Sequence, residues 1–99
     1  MRPVKVLSVC GSGTVSSAML SSKLRDVLEE HGYGIECVEV SPGGVANAMS
    51  TSNYDLIAYT SPVDGNYNVP ILNATGFLVG INEDEFIENL LEVVGRLKL

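Results

Sequence analysis

The feature that most constrains this chain is a change of hydrophobic period across residues 4–28. Residues 4–9, VKVLSV, form a valine-rich run of strand length that stops at the turn Cys10-Gly11-Ser12-Gly13. From Ser16 the apolar residues Ala18, Leu20, Leu24, Val27 and Leu28 recur at steps of three and four. Lys23, Arg25, Asp26, Glu29 and Glu30 fill the positions between them, which is the pattern of an amphipathic helix. A strand that passes through a glycine turn into a helix is the opening half of a strand-helix-strand unit, the building block of parallel sheets covered by helices.

The rest of the chain continues the alternation. HGYG at 31–34 closes the first helix, because glycine takes the left-handed conformation that ends helices. IECVEV at 35–40 alternates, with Ile35, Cys37 and Glu39 on one face and Glu36, Val38 and Val40 on the other, as a half-exposed edge strand does. SPGG at 41–44 is a loop, and VANAMS offers one or two helical turns. DLIAYT at 55–60 is the continuous apolar run of a strand buried on both faces. TSPVDGNYN at 60–68 reads as an exposed loop, and VPIL as a short fourth strand that Pro70 places at the sheet edge. Residues 73–81 look irregular. Asn82 and Glu85 then form a capping box for a final helix that turns Phe86, Ile87, Leu90, Leu91, Val94 and Leu97 inward. With 99 residues, no internal repeat and no linker, this order predicts a single domain over 1–99, a four-stranded, mostly parallel α/β sheet with helices on both faces.

Charge and cysteine usage remove several function classes. The chain holds 6 Lys+Arg against 12 Asp+Glu, a net charge of -6, and has no cation cluster that could displace counterions from a phosphate backbone, so nucleic acid is not expected as a partner. No apolar run approaches the roughly 20 residues that cross a bilayer, and Pro3 and Lys5 interrupt any signal-peptide core, so the expected location is the cytoplasm. Two cysteines separated by 26 residues fit neither a CxxC redox pair nor a metal-ligand spacing. No metal or cofactor is expected, and the acids of NEDEFIENLLE read as the solvated face of a helix.

In a sheet of this kind ligands gather beyond the carboxyl ends of the strands, most often at the loop after the first strand, which is where Cys10 stands. Gly11 and Gly13 let backbone N–H groups turn inward, the helix that follows adds its positive end, and Ser12, Thr14, Ser16 and Ser17 add hydroxyls. Gly11 through Ser17, including Val15 for its backbone amide, are therefore the candidate phosphate-binding residues. The same field favours a thiolate, the nucleophilic form of cysteine. The plainer readings are that Cys10 is a small apolar residue ending a core strand and that the hydroxyls cap the helix. Thiol phosphatases with this layout follow a CxxxxxR pattern, whose arginine stabilises the transferring phosphoryl group. Six positions after Cys10 stands Ser16, and the loop holds no cation, which suits carrying a phosphoryl group rather than hydrolysing it.

Here the chain resembles the IIB subunits of the bacterial phosphoenolpyruvate-dependent sugar phosphotransferase system, most closely the galactitol-like group. The resemblance rests on VCGSGTVSSAM, on YDLI before the third loop, on VPILN, and on GFLVGI leading into an acidic last helix. It implies a flavodoxin-like three-layer sandwich with strand order 2-1-3-4. It also implies that Cys10 takes a phosphoryl group from a phosphohistidine on a IIA partner and passes it to a sugar or polyol held by the membrane subunit IIC, with no cofactor. Val15, Ser16, Ser17 and Ala18 stand where relatives often read alanine-threonine-serine-threonine, so hydroxyls are kept at 16 and 17 and lost at 18.

Other candidates carry blander readings. Cys37 is a packing residue within a strand. His31 lies on the order of 20 Å from Cys10 along the helix and suits its negative end. Asp64 could overhang Cys10 as a general acid, but a carboxylate repels a phosphocysteine, and Asp-Gly is a common turn pair. Val15, Pro42, Val63 and Tyr67 are the apolar residues expected at a small, transient protein surface around the loop. Two rival functions remain at this point. One is a thiol phosphatase or arsenate reductase, which the missing arginine disfavours. The other is a nucleotide-binding half-domain, suggested by Gly11-Ser12-Gly13-Thr14-Val15-Ser16 and Glu39 and disfavoured by the serine in place of a third glycine.

Overall fold

The computed structural model of the chain describes residues 2–10, 14–60, 63 and 67–97, and of residues 14–17 the backbone alone. Strands β1 (Val4–Val9), β2 (Ile35–Val40), β3 (Leu56–Tyr59) and β4 (Ile71–Asn73) form one sheet in the order β2-β1-β3-β4, and all three pairings are parallel. Among the described residues four α-helices accompany them: α1 (Thr14–Glu30), α2 (Val45–Thr51), α3 (Thr75–Val79) and α4 (Glu83–Gly95). A 3-10 turn over Pro42–Gly44 leads into α2.

Alternation along the strands assigns the layers. Val4, Val6 and Cys10 point to one face, where they pack with Leu20, Leu24 and Leu28 of α1, Phe77 of α3 and Phe86, Leu90 and Val94 of α4. Leu7 and Val9 point to the other face and meet Ile57 of β3 and Val45 and Ala48 of α2, with half-buried Tyr54, Tyr67 and Val69 closing the edge. Because β1 and β3 are covered on both sides, β3 reads as a continuous apolar run and β1 as one interrupted only by Lys5 and Ser8, whereas β2, at the sheet edge, keeps its alternation. The result is a flavodoxin-like α/β sandwich.

Helix α1 ends as HGYG requires: Gly32 sits at φ 85° and Tyr33 N–H donates back to Leu28 O at 2.8 Å. The amino-terminal segment is pinned by Asp55, whose carboxylate accepts two hydrogen bonds from the Arg2 guanidinium, at 2.7 and 2.8 Å, and one from the Lys5 backbone N–H at 2.8 Å. These bonds, with the Arg2 hydrogen bond foremost, hold the Asp55 carboxyl below its usual range.

The structure departs from the sequence reading in four places. Helix α1 starts at Thr14 rather than Ser16; its first described buried side chain is Leu20, so the apolar period begins only after the helix is under way. Strand β4 starts after Pro70, which has no N–H to give and offers its carbonyl to Ile57 N–H instead. Residues 75–79, read as irregular, form a helix too short to show a helical period. Asn82 does stand at the N-cap of α4, but at φ 55° and with no side-chain cap bond, so the expected capping box does not form. A capping side chain needs extended backbone to reach the first turn, which the left-handed conformation denies it.

Candidate functional site

The carboxyl ends of the four strands are tied into one rim. Cys10 follows β1, and its N–H donates to Val40 O at the end of β2, at 3.1 Å. One residue back, Val9 O accepts from Thr60 N–H after β3, at 2.8 Å. Farther along, Ala74 N–H donates to Tyr59 O at 2.7 Å, the Thr75 hydroxyl to Thr60 O at 3.4 Å, and Thr75 N–H to the Asn73 side chain at 3.0 Å. The chain leaves β1 toward β2 on one side and returns to β3 on the other, so the crevice where strand order reverses lies at Cys10.

Helix α1 begins four residues beyond Cys10. The first N–H groups of a helix have no acceptor within it, and the seventeen residues of α1 give that end a full dipole. The Cys10 side chain is 3% exposed and belongs to the same apolar cluster as Val6 and Leu20. The packing reading of Cys10 is therefore right about what lies beneath it, while its backbone position is that of a loop residue at the mouth of the sheet.

Not all the sequence-predicted site residues can be placed. Gly11, Ser12, Gly13 and Asp64 lie outside the described residues. Thr14, Val15, Ser16 and Ser17 form the first turn of α1 by their backbone. Pro42 is exposed beside the rim, but Val63 and Tyr67 are half-buried and pack against the α2-side core, so they are not the free apolar surface the loop composition suggested. His31 stands past the far end of α1, where its Nδ1 lies 2.9 Å from Val27 O and donates to it, which settles its role as a helix-end partner.

Cys37 faces α1 from β2. Burial pushes its thiol above the ordinary range, partly offset by a hydrogen bond with Ser21. The Ser21 hydroxyl also donates to the Glu39 carboxylate, at 3.1 Å. Among the described residues no cluster of His, Cys, Asp and Glu could hold a metal ion, and no helix is long and apolar enough to cross a membrane.

Sequence reasoning missed Thr60, Asn73 and Thr75, the polar residues that bind the rim together. A polar residue directly after each apolar strand would have been the signal. It also missed Ser8, two residues before Cys10 on the same face, a polar residue inside an otherwise apolar buried strand.

Comparison with known proteins meets this geometry. The sequence model of the family described as "PTS system, Lactose/Cellobiose specific IIB subunit" matches residues 5–89, from the start of β1 well into α4. The "Putative phosphotransferase enzyme IIB component SgcB" of Escherichia coli (strain K12) is 30% identical over 80 residues, covering 81% of this chain and 85% of that protein. With the family model spanning the cysteine rim and most of the sheet, and the relative aligned over 81% of the chain, the chain belongs to the IIB family of the sugar phosphotransferase system, whose members are phosphotransferase components of that system.

Proposed function

We propose that Cys10 is the residue that carries the phosphoryl group. Its thiolate sulfur attacks the phosphorus of a phosphohistidine on a IIA partner; an S–P bond forms, the N–P bond breaks, and the electron pair returns to the imidazole. In the second step a hydroxyl of a sugar or polyol bound by the IIC permease attacks the same phosphorus. The S–P bond then breaks, the thiolate is regenerated, and the hydroxyl proton passes to a base on the permease side.

The observation that supports this reading above others is the position of Cys10 at the reversal of strand order, four residues before the start of α1. Backbone N–H groups of Gly11 through Ser17 and the helix end are suited to an anion carried on that sulfur. The loop contains no arginine to stabilise the charge of a hydrolytic transition state, which favours carriage over phosphatase turnover. On this reading the domain works in the cytoplasm and joins the membrane only through IIC.

We further place the chain nearest the galactitol-like IIB subunits, on VCGSGTVSSAM, YDLI, VPILN and GFLVGI. Intact mass after incubation with phosphoenolpyruvate, the two general phosphotransferase proteins and either a galactitol-type or a lactose/cellobiose-type IIA tests both statements. One added phosphoryl group on wild type and Cys37→Ser, absent from Cys10→Ser, is the expected result, and the galactitol-type IIA is expected to be the faster donor. Phosphorylation of Cys10→Ser would remove Cys10 from the role, and faster transfer from the other IIA would move the chain to the other group.

A further inference from the structure

The most exposed large apolar side chains among the described residues are Val79, at 65%, and Ile81, at 60%. They flank Gly80 at the corner between α3 and α4, and the chain holds that corner firmly. Ile81 N–H donates to Gly76 O at 2.7 Å, and a Cβ on Gly76 would lie 2.8 Å from Ile81 O, so the two backbone segments touch. Beneath them Phe77 and Phe86 stack with centroids 4.5 Å apart. Lys23 of α1 lies 5.0 Å from the centre of the Phe77 ring and pairs with Glu83 at 2.5 Å, which fastens the corner to the helix that leaves the Cys10 loop.

Ile81 also walls a groove of about 350 Å³ floored by Leu72, Phe77 and Phe86, with Glu85 on its rim. The surrounding charge is negative: Glu83, Asp84 and Glu85 occupy the first turn of α4, and Asp84 and Glu85 are exposed. An apolar pair held in water on a rigid corner and ringed by carboxylates is complementary to a surface of apolar residues bracketed by Lys and Arg.

We infer that this corner is the docking surface for the cytoplasmic side of the IIC permease, an inference that rests on the phosphocarrier reading above. Membrane proteins keep an excess of Lys and Arg in their cytoplasmic loops, which supplies the basic partner; no such rule makes a soluble IIA basic. The cytoplasmic leaflet is negative and repels a chain of net charge -6, so contact at the membrane has to be made with protein, through an apolar anchor.

Position agrees with charge. Helix α3 starts two residues after β4, and Thr75 at its start is hydrogen-bonded to Thr60, which is bonded in turn to Val9 beside Cys10. A five-residue helix is about 7.5 Å long, so the corner lies only one short helix from Thr75 on the rim.

The test separates the two half-reactions for the double variant Val79→Ser with Ile81→Ser, and for Asp84→Lys with Glu85→Lys. Phosphorylation by IIA is followed by intact mass, and transfer onward to the sugar by inside-out membrane vesicles containing the cognate IIC. Both variants are expected to take the phosphoryl group from IIA at the wild-type rate and to melt as wild type does. The carrier concentration giving half-maximal transfer to sugar should rise by roughly tenfold, with the maximal rate kept. The charge variant should also lose most of the salt dependence of that step. An equal slowing of the IIA step, or no change in either step, overturns the docking assignment. A wild-type chain that takes no phosphoryl group from IIA removes the carrier reading and the docking assignment with it, and this outcome is seen at the first step, before any variant is compared.

Discussion

Ser8→Ala should make this protein more stable, against the usual direction of core substitutions. Ser8 is 0% exposed in the middle of β1, and its hydroxyl oxygen has no hydrogen-bond partner among the described residues. A buried hydroxyl left unpaired costs about 1–3 kcal/mol. Alanine keeps the Cβ and removes only the oxygen, giving up a few van der Waals contacts of about 0.1–0.2 kcal/mol each. The balance is a gain of about 1 kcal/mol or more, and in a chain of this size each kilocalorie moves Tm by roughly 4–8 °C. Urea unfolding followed by circular dichroism should show a higher midpoint at unchanged slope, with the thermal midpoint rising in parallel. Ser8→Val should do the reverse, because two methyl groups must fit where one hydroxyl stood in a filled layer between β1 and α1, at a cost of about 1–3 kcal/mol. A loss of about 1 kcal/mol in Ser8→Ala would refute the reasoning, since it would mean that the hydroxyl has a partner in solution and is stabilising as it stands.

Three other outcomes are expected. Gly76→Ala should lower the urea midpoint by the equivalent of about 1–3 kcal/mol, because the new Cβ meets the Ile81 carbonyl at 2.8 Å and backbone must shift; a midpoint equal to wild type would show that the corner yields freely. The Asp55 carboxyl is held below its usual value near 3.8, so its contribution is complete above that pH and is lost as pH falls through the lower folded-state value; Asp55→Asn should be less stable at neutral pH and show a shallower acid decline, and an unchanged acid limb would count against the Arg2 pairing. Burial raises the Cys37 thiol, so alkylation of Cys37 by iodoacetamide should be slow at pH 7 and accelerate only at alkaline pH; rapid modification of Cys37 in Cys10→Ser at pH 7 would show that the strand is more open than its packing indicates.

The sheet was legible because burial on one face or two writes different patterns. Leu56 to Tyr59 reads as a continuous apolar run, which placed that strand inside, while the alternation of Ile35 to Val40 and the proline before Ile71 placed two strands at edges; Val4 to Val9, with Lys5 and Ser8 in it, read as a strand whose central place only the family resemblance implied. The position of Cys10 was equally legible, since a glycine turn after a strand identifies the carboxyl end of the sheet whatever the neighbours do. Helix α3 was not legible, because five residues give too little sequence for a period, and the packing of Phe77 on Phe86 that holds it is a contact between elements. The capping box at Asn82 failed for a related reason. Residue types at the right spacing say nothing of the left-handed φ that Asn82 takes. Val63 and Tyr67 sit in a polar stretch that suggests a free loop, yet tertiary contacts spend them on the α2-side core.

The two hydrogen bonds that fasten Val9 and Cys10 to β2 and β3 have a consequence for traffic. On the carrier reading, the Cys10 sulfur stands two bonds from the Cα of a backbone clamped in the centre of the sheet, which gives a cargo held there no long side chain to swing on. On that reading, what is loaded at Cys10 changes hands only when the whole domain leaves one partner and presents the same cysteine to the next. Donor and acceptor must therefore take turns, and a partner that bound this face too tightly would stall the line. For such a shuttle the useful quantity is a fast departure, so the selection acting on its surface favours contacts just strong enough to align the sulfur and no stronger.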